Sequence, residues 1–214
     1  MREKEKASRI IYVRHGETDF PINRIYCDLQ EDPPLNKKGL SQAEQTARFL
    51  ANVDAEAIYA SPCKRTRMTA EAIAKYHADL TIGFEPNLME RNFGVWEGLY
   101  FEEIEARFPD EYKKWKQNQA IFKPDQGDSV YDLADRAQPV INDLLEKHRG
   151  KTIIVIAHVG PIRALIANAL EMPIEGYRRL GIDPASATCI DYGRSQNNLI
   201  FMNFHLRHYA NGQS

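Results

Sequence analysis

The amino-acid sequence predicts an α/β layered fold with a largely parallel sheet. Short runs of β-branched and apolar residues, such as residues 10–13 and 152–157, are typical of buried strands. The longer segments between such runs carry apolar residues at helical spacing. Strands that alternate with helices along a chain indicate a parallel sheet covered by helices.

In the first part of the chain, two strands are each followed by a helix. Ser41 and Glu44 form a capping-box pattern, which predicts that the first helix begins at Ser41. After the second strand, at residues 57–60, Ser61 and Pro62 suit an N-cap and a first helical position. The apolar face of this second helix is expected to carry three residues: Ala72, Ile73 and Tyr76.

In the second part of the chain, the sequence predicts two more helices and three more strands. Ser129 opens a long helix that Pro139 should bend and Gly150 should end. The apolar positions of this helix are Leu133, Ala137, Ile141, Leu144 and Leu145. The central strand at residues 152–157 follows. The remaining elements are a helix at residues 161–170 and strands at residues 187–192 and 199–205.

The composition indicates one ordinary globular domain, expected to span residues 1–214. Of the 214 residues, 43% are hydrophobic and 27% are charged, which is typical of folded rather than disordered proteins. A formal net charge of −2 argues against a nucleic-acid binder. The N-terminal segment lacks the apolar region of a signal peptide, and no apolar run is long enough to cross a bilayer. We therefore expect a cytoplasmic protein that does not engage a membrane.

The cysteines and the C-terminal histidines do not suggest a metal site. Cys27, Cys63 and Cys189 are an odd number at wide spacing, which favours reduced thiols over a disulfide framework or a zinc site. His205 and His208 lie three positions apart near a polar tail, and we interpret them as surface residues. The sequence thus predicts no metal.

Two strands end in a histidine that is followed closely by a glycine. His15 comes directly after the first strand, and His158 comes directly after the central strand. Ligands of open parallel sheets bind at the carboxyl ends of the strands. If the two strands are neighbours, the two imidazole rings face each other across one crevice.

Arginines and a carboxylate complete this set of residues. Arg65 follows a third strand end at the start of a helix, where the guanidinium fork and the helix N-terminus both favour a phosphate group. Arg14 directly precedes the first histidine, and Glu90 follows an apolar pair. Two arginines, two histidines and one acid suit phosphoryl transfer to an imidazole and require no metal ligands.

These motifs, in this order, resemble the histidine phosphatase superfamily, also called the phosphoglycerate mutase-like family. The segment Arg14-His15-Gly16-Glu17-Thr18 resembles the family's signature after its first strand. Further segments that resemble the family are residues 34–43, 61–70, 88–98, 127–136 and 158–163. The match covers roughly residues 9–206, the expected core. Within the family, residues 96–98 resemble the phosphatase branch, which includes α-ribazole phosphatase-like and broad-specificity members.

The resemblance implies a fold, a mechanism and a set of site residues. It implies a three-layer α/β/α sandwich and a phosphohistidine intermediate formed without metal or cofactor. His15 corresponds to the family's nucleophile. Arg14, Arg65 and His158 correspond to the residues that hold the phosphate and share in catalysis. Glu90 corresponds to the proton donor, and all of these residues except the nucleophile are also expected to bind substrate.

The chain departs from the family's pattern at four places. Pro21 stands where relatives often have asparagine, and Asn23 and Arg24 align with the family's Asn-Arg pair only if one residue is removed. Cys27 stands where glycine is usual, and Val159 replaces the first glycine of the second histidine motif. We expect Asn23, Arg24 and Val159 to contact the substrate, with the core chemistry unchanged.

The leading interpretation is a phosphomonoester hydrolase that acts on a small phosphorylated metabolite. One alternative is a phosphoglycerate mutase, although the segment between Glu90 and His158 is short for that branch. A catalytically silent phosphate-binding protein is the other alternative, but it would be expected to lack His15, Arg65 or Glu90. The sequence sets neither the natural substrate nor the oligomeric state.

The segment of residues 101–123 is rich in aromatic residues and lysines. Such a segment suits a lid over the site, because inserted segments often close over substrates. It suits an amphipathic helix packed on the rim of the domain equally well. The sequence leaves both interpretations open.

Overall fold

A central sheet organises the computed structural model, which describes residues 6–25 and 31–205. The strands are β1 (Ser8–Arg14), β2 (Ala55–Ala60), β3 (Ile82–Phe84), β4 (Thr152–Ala157), β5 (Ala187–Tyr192) and β6 (Asn197–Phe204). They lie in the order β3-β2-β4-β1-β5-β6. β1, β4, β2 and β3 are mutually parallel along this order, whereas β5 and β6 join in antiparallel fashion. The predicted, largely parallel sheet is confirmed.

Helices cover both faces of this sheet. α1 (Lys37–Leu50) and α2 (Lys64–Ala74) cover one face, and α5 (Val130–Lys147) and α6 (Val159–Ala169) cover the other. Two further helices, α3 (Phe101–Arg107) and α4 (Pro109–Gln117), lie between α2 and α5 in the sequence. Three short 3₁₀ segments are also present, at Pro86–Leu88, Gly94–Trp96 and Ile174–Arg179.

The alternation of side chains along the strands produces two separate cores. In β1, Ile10 and Tyr12 face the core that α5 and α6 cover, whereas Ile11 and Val13 face the core that α1 and α2 cover. Successive side chains of a strand point to opposite faces, so a strand buried on both faces needs a continuous apolar run. The arrangement is the three-layer α/β/α sandwich of the phosphoglycerate mutase-like fold that the resemblance implied.

The first helix begins four residues earlier than the capping box predicted. Asn36 is the N-cap of α1, and its side chain accepts a hydrogen bond from the N–H of Gly39 at 2.7 Å. Ser41 and Glu44 lie inside the helix. The prediction was wrong because Asn36, which precedes two lysines, caps the helix upstream of Ser41.

The second helix begins later than predicted. Its N-cap is Cys63, and the carboxylate of Asp32 accepts the N–H of Lys64 at 2.9 and 3.0 Å. Ser61 and Pro62 therefore precede the helix. Tyr76 also departs from the prediction, since it lies beyond the end of α2 and is exposed.

Other boundaries agree more closely. Ser129 is the N-cap of α5, Pro139 lies within that helix, and the helix ends at Lys147, before Gly150. The helix predicted from Pro161 begins two residues earlier, at Val159. The strand β3 was not predicted, because it is only three residues long and none of them is fully buried.

The segment of residues 101–123 builds a small aromatic core of its own. Trp96, Ile104, Tyr112 and Trp115 are buried together, with Ile25 from the loop after β1. The ring of Trp115 lies edge-on to that of Trp96, with 6.0 Å between centroids. These contacts favour the interpretation of α3 and α4 as helices packed on the rim.

Among the described residues, no helix is long and apolar enough to span a bilayer. Cys63 and Cys189 are buried free thiols. Cys27 and His208 lie outside the described residues, and so does part of the atypical loop of residues 19–28.

Candidate active site

The parallel pairing of β1 with β4 brings the two predicted histidines together. Arg14 pairs with Ala157 in the register, so His15 and His158 leave the sheet side by side at its carboxyl edge. Their ring centroids are 5.2 Å apart, at an interplanar angle of 62°. The expectation that the two rings come together is met in the structure, but they meet edge-on rather than face to face.

The backbone of His15 is held on both sides. Its N–H donates to the carbonyl of Ala157 at 3.1 Å, and its carbonyl accepts the N–H of Ala185 at 3.0 Å. The next residue, Gly16, donates its N–H to Oγ1 of Thr69 at 3.1 Å. A side chain at Gly16 would meet the backbone of Gly39 in α1 at 2.6 Å, so this close approach requires glycine.

The hydrogen bonds of the His15 ring define its reactive nitrogen. Nδ1 lies 2.8 Å from the carbonyl oxygen of Gly16, which can only accept, so Nδ1 carries the proton. Nε2 therefore presents its lone pair, and Nε of Arg65 donates towards it at 3.3 Å. The lone pair of Nε2 is thus directed towards the Arg65 guanidinium.

Arg65 is fully buried between the two imidazoles. Its Nη2 lies 2.9 Å from Nδ1 of His158, and its Nη1 lies 3.8 Å from the Asp32 carboxylate. Arg14 is half-buried, and its Nη1 donates to the carbonyl of Ile182 at 2.7 Å. Two guanidinium groups thus flank a pair of histidines.

Both imidazoles are neutral near pH 7. Burial, and then the positive charges of Arg65 and Arg14, hold the pKa of His15 well below its ordinary value. Burial and the charge of Arg65 lower the pKa of His158 in the same way. The positive charge of the site therefore belongs to the arginines.

Glu90 is brought to this site by the segment that follows β3. Its Oε2 accepts the N–H of Gly160 at 3.2 Å, in the first turn of α6, and its Oε1 accepts the N–H of Arg91 at 2.9 Å. Arg136 of α5 donates to the carbonyls of Met89 and Glu90 at 3.0 and 2.7 Å. The bond to Gly160 places the carboxylate at the start of α6, the helix whose N-cap is His158.

Gly160 is expected to be essential for the position of Glu90, because a methyl group there would overlap the carboxylate oxygen Oε1. If Glu90 is the proton donor that the resemblance implies, Gly160→Ala should lower kcat/KM for an alkyl phosphate by about 10²-fold, the cost of misplacing a catalytic group. Gly176→Ala is the matched control, since the nearest neighbour of an added methyl there is a flexible arginine side chain at 4.0 Å. Equal kcat/KM values for Gly160→Ala and the wild type would contradict this account.

The structure treats the three remaining predicted substrate contacts differently. Arg24 forms a two-fold ion pair with Glu31, at 2.7 and 2.8 Å, and its Nε donates to the carbonyl of Gly98. Its guanidinium is thus already engaged in the loop. Asn23 is exposed, and its carbonyl accepts the N–H of Phe101. Val159 is the first residue of α6 and is half-buried, next to His158.

The sequence interpretation missed two residues that touch the site. Ser61 was predicted as a helix cap, but its Oγ lies 2.7 Å from Nε2 of His158. Its position at the carboxyl end of β2 was the available signal, because His15 and His158 occupy equivalent strand ends. Asp32, beside Arg65, had no comparable signal. In the described ranges, no group of three or more His, Cys, Asp or Glu side chains could hold a metal ion.

The site can be compared with known proteins. The sequence model of the Histidine phosphatase superfamily (branch 1) matches residues 10–205. This chain belongs to that family. Its core geometry, two histidines and two arginines at the carboxyl edge of a parallel sheet, is therefore set in a histidine phosphatase fold.

Several relatives of this histidine phosphatase chain carry phosphatase names. Phosphoserine phosphatase 1 of Hydrogenobacter thermophilus is 28% identical over 196 residues, which cover 91% of this chain and 92% of that protein. A metal-independent phosphoserine phosphatase of Arabidopsis thaliana is 33% identical over 168 residues, 77% of this chain and 70% of that protein. Several mycobacterial relatives are longer, and the chain spans 50% of their length.

A solved structure of mycobacterial glucosyl-3-phosphoglycerate phosphatase, in complex with VO3, superimposes with a TM-score of 0.80 at 27% identity. The match covers 91% of this chain and 98% of that one. The relatives and this structure support phosphatase activity for the chain.

Proposed function

We propose that this protein is a phosphomonoester hydrolase that works through a phosphohistidine on His15. The observation that carries the proposal is the state of the His15 ring, which is neutral and fixed by Gly16 at Nδ1, with the lone pair of Nε2 directed towards the Arg65 guanidinium. A neutral, oriented imidazole beside a guanidinium is equipped to attack a phosphoryl group.

The first chemical step forms the bond between Nε2 and phosphorus and breaks the bond between phosphorus and the ester oxygen. Arg14, Arg65 and His158 bind the non-bridging oxygens and stabilise the charge that they carry in the transition state. Glu90, in its protonated form, gives its proton to the departing alkoxide.

The second step regenerates the enzyme. Glu90, now a carboxylate, takes a proton from water as the water oxygen attacks phosphorus and the bond to Nε2 breaks. Inorganic phosphate leaves, and the imidazole returns to its neutral form. Water as the acceptor makes the reaction a hydrolysis rather than the transfer between hydroxyls of a mutase.

We infer that the substrate is a small phosphorylated metabolite and that the protein acts on it in the cytoplasm. Relatives named for phosphoserine and for glucosyl-3-phosphoglycerate support this class. A screen of phosphoserine, phosphoglycerates, sugar phosphates, nucleotides and α-ribazole phosphate tests it.

Rapid-quench trapping with the best substrate tests the intermediate. The wild-type protein is expected to yield a phosphoryl adduct that is stable in base and labile in acid, and that maps to His15. Turnover without such an adduct, under conditions in which the second step is rate-limiting, would argue against the phosphohistidine.

Activity is expected to survive EDTA, since the proposed steps use only side chains and water. Vanadate is expected to inhibit, because it adopts the five-coordinate geometry of the transition state. The measurement is the steady-state rate after dialysis against EDTA, with a known two-metal phosphatase as the control. Loss of activity that Mg²⁺ or Mn²⁺ restores would overturn the proposed mechanism.

A further inference from the structure

A buried hydrogen bond to His158 plays no part in the steps above. Ser61 is fully buried at the carboxyl end of β2, and its Oγ lies 2.7 Å from Nε2 of His158. The same oxygen lies 3.2 Å from Oγ1 of Thr66, whose hydroxyl donates to backbone carbonyls of the α2 entrance. Ser61 therefore has an acceptor on one side and an imidazole nitrogen on the other.

The contacts of His158 place its proton on Nε2. A guanidinium only donates, so the 2.9 Å contact from Nη2 of Arg65 requires a lone pair on Nδ1. The neutral ring then carries its proton on Nε2, and this N–H donates a hydrogen bond to Oγ of Ser61. The Ser61 hydroxyl can in turn donate to Thr66.

A bound phosphoryl group requires the opposite arrangement. Its oxygens only accept hydrogen bonds, and a phosphoryl oxygen bound by Nη2 of Arg65 and Nδ1 of His158 would replace the direct contact between these two nitrogens. To donate to such an oxygen, Nδ1 must carry the proton. A second proton on the ring would place a buried imidazolium between two arginines, which is unfavourable. The neutral alternative leaves Nε2 as an acceptor, and Nε2 then needs a donor.

We propose that Ser61 is a positioning residue that reverses its hydrogen bond, accepting from Nε2 of His158 in the free enzyme and donating to it when a phosphoryl group is bound. A hydroxyl is suited to this because it serves as donor or acceptor after a simple rotation. The ring loses its Nε2 proton and gains one at Nδ1 by exchange with water that enters and leaves the site along with the ligand, so its charge does not change. This inference rests on the proposed function, in which His158 binds the phosphoryl oxygens.

Nitrogen NMR of the histidine rings, with inorganic phosphate as the probe, tests the reversal. In the free wild-type protein, Nδ1 of His158 is expected to be the unprotonated nitrogen and Nε2 the protonated one. Saturating phosphate is expected to exchange the two signals. A ring that keeps its free-state tautomer with phosphate bound, or that becomes protonated on both nitrogens, would overturn the proposal.

Substitutions supply the kinetic test. Ser61→Ala is expected to lower kcat by about 10- to 100-fold, as loss of a hydrogen bond that orients a buried functional imidazole does. Ser61→Thr keeps the hydroxyl and is expected to restore most of the rate. The matched control is Ser186→Ala, because Ser186 is also buried and its Oγ has no hydrogen-bond partner within the described part of the chain.

The outcomes separate this inference from the proposed function. Wild-type rates in folded Ser61→Ala, with a phosphoryl adduct still formed on His15, would refute the role of Ser61 alone. Absence of any adduct in the wild type would instead refute the phosphohistidine. Equal loss in Ser61→Ala and Ser61→Thr would show that the hydroxyl is not what matters, and would also overturn the proposal.

Discussion

Replacing His15 with alanine is expected to lower kcat by about 10⁴-fold or more and to abolish the phosphoryl adduct, since the variant has no nucleophile to form it. Arg14, Arg65 and His158 remain to bind the phosphate group, so substrate affinity should fall far less than turnover. Rapid quench with labelled substrate measures the adduct, and steady-state kinetics measure the rate.

The matched control for this variant is a histidine outside the site. His148 follows α5 and bonds the hydroxyl of Tyr59 at 2.9 Å, so His148→Ala also removes a hydrogen-bonded ring. It is expected to keep its adduct and its rate. Retained turnover in His15→Ala, or an adduct mapped to Ser61 or Cys63, would contradict the assignment of the nucleophile.

The strands could be predicted well from the sequence because a strand that is buried on both faces needs a local run of apolar residues. The runs at β1 and β4 are continuous, apolar and rich in β-branched residues, and they are too short for a typical helix. The bounds of β4 and β5 were predicted to the residue. β3 escaped because its place in the sheet comes from pairing with β2 rather than from an apolar run.

Helix starts were less predictable because several residues compete to cap them. Ser61 has the composition of an N-cap, but the tertiary fold directs its hydroxyl to His158 instead. The N–H of Lys64 is then satisfied by Asp32, a residue distant in sequence. A cap supplied by another segment leaves no local pattern to find.

For the site, too, residues placed by the sheet were predictable and contacts made by loops were not. His15 and His158 were predictable as neighbours, because parallel strands place their carboxyl ends along one edge. Arg24 was predicted from the family pattern as a substrate contact, yet in the structure it pairs with Glu31 and lies over the rings of Phe20 and Tyr100. Its contact with substrate stays a prediction. Partners such as these are set by loop conformation, which a local sequence pattern does not determine.

The electrostatics of the site follow from burying a cation beside neutral rings. Arg65 is fully buried, and the carboxylate of Asp32 lies 3.8 Å from its Nη1, beyond the distance of a direct hydrogen bond. A buried guanidinium is stabilised most by an anion that it can bind directly. The fold therefore places a buried positive charge between His15 and His158, beside which a phosphate dianion would be stabilised.

Glu90→Gln is expected to slow hydrolysis of an alkyl phosphate by about 10²-fold or more, because an alkoxide leaves poorly without a proton. With p-nitrophenyl phosphate, formation of the adduct should suffer much less, since p-nitrophenolate leaves well unprotonated. Breakdown of the adduct still needs Glu90 as a base, so the phosphohistidine should accumulate. Stopped-flow release of p-nitrophenolate should then show a burst.

Arg65→Ala provides the contrast that separates the two roles. In the proposed mechanism Arg65 acts on the phosphoryl group itself, so its loss should slow hydrolysis of both substrates alike, with no burst. Glu102→Gln, an exposed carboxylate in the first turn of α3, is the control for the amide substitution. If Glu90→Gln slows adduct formation equally for both substrates, Glu90 is not the leaving-group acid. Glu17 and Glu97 would then be the carboxylates to replace, and Glu17 is the first choice because it lies two residues from His15.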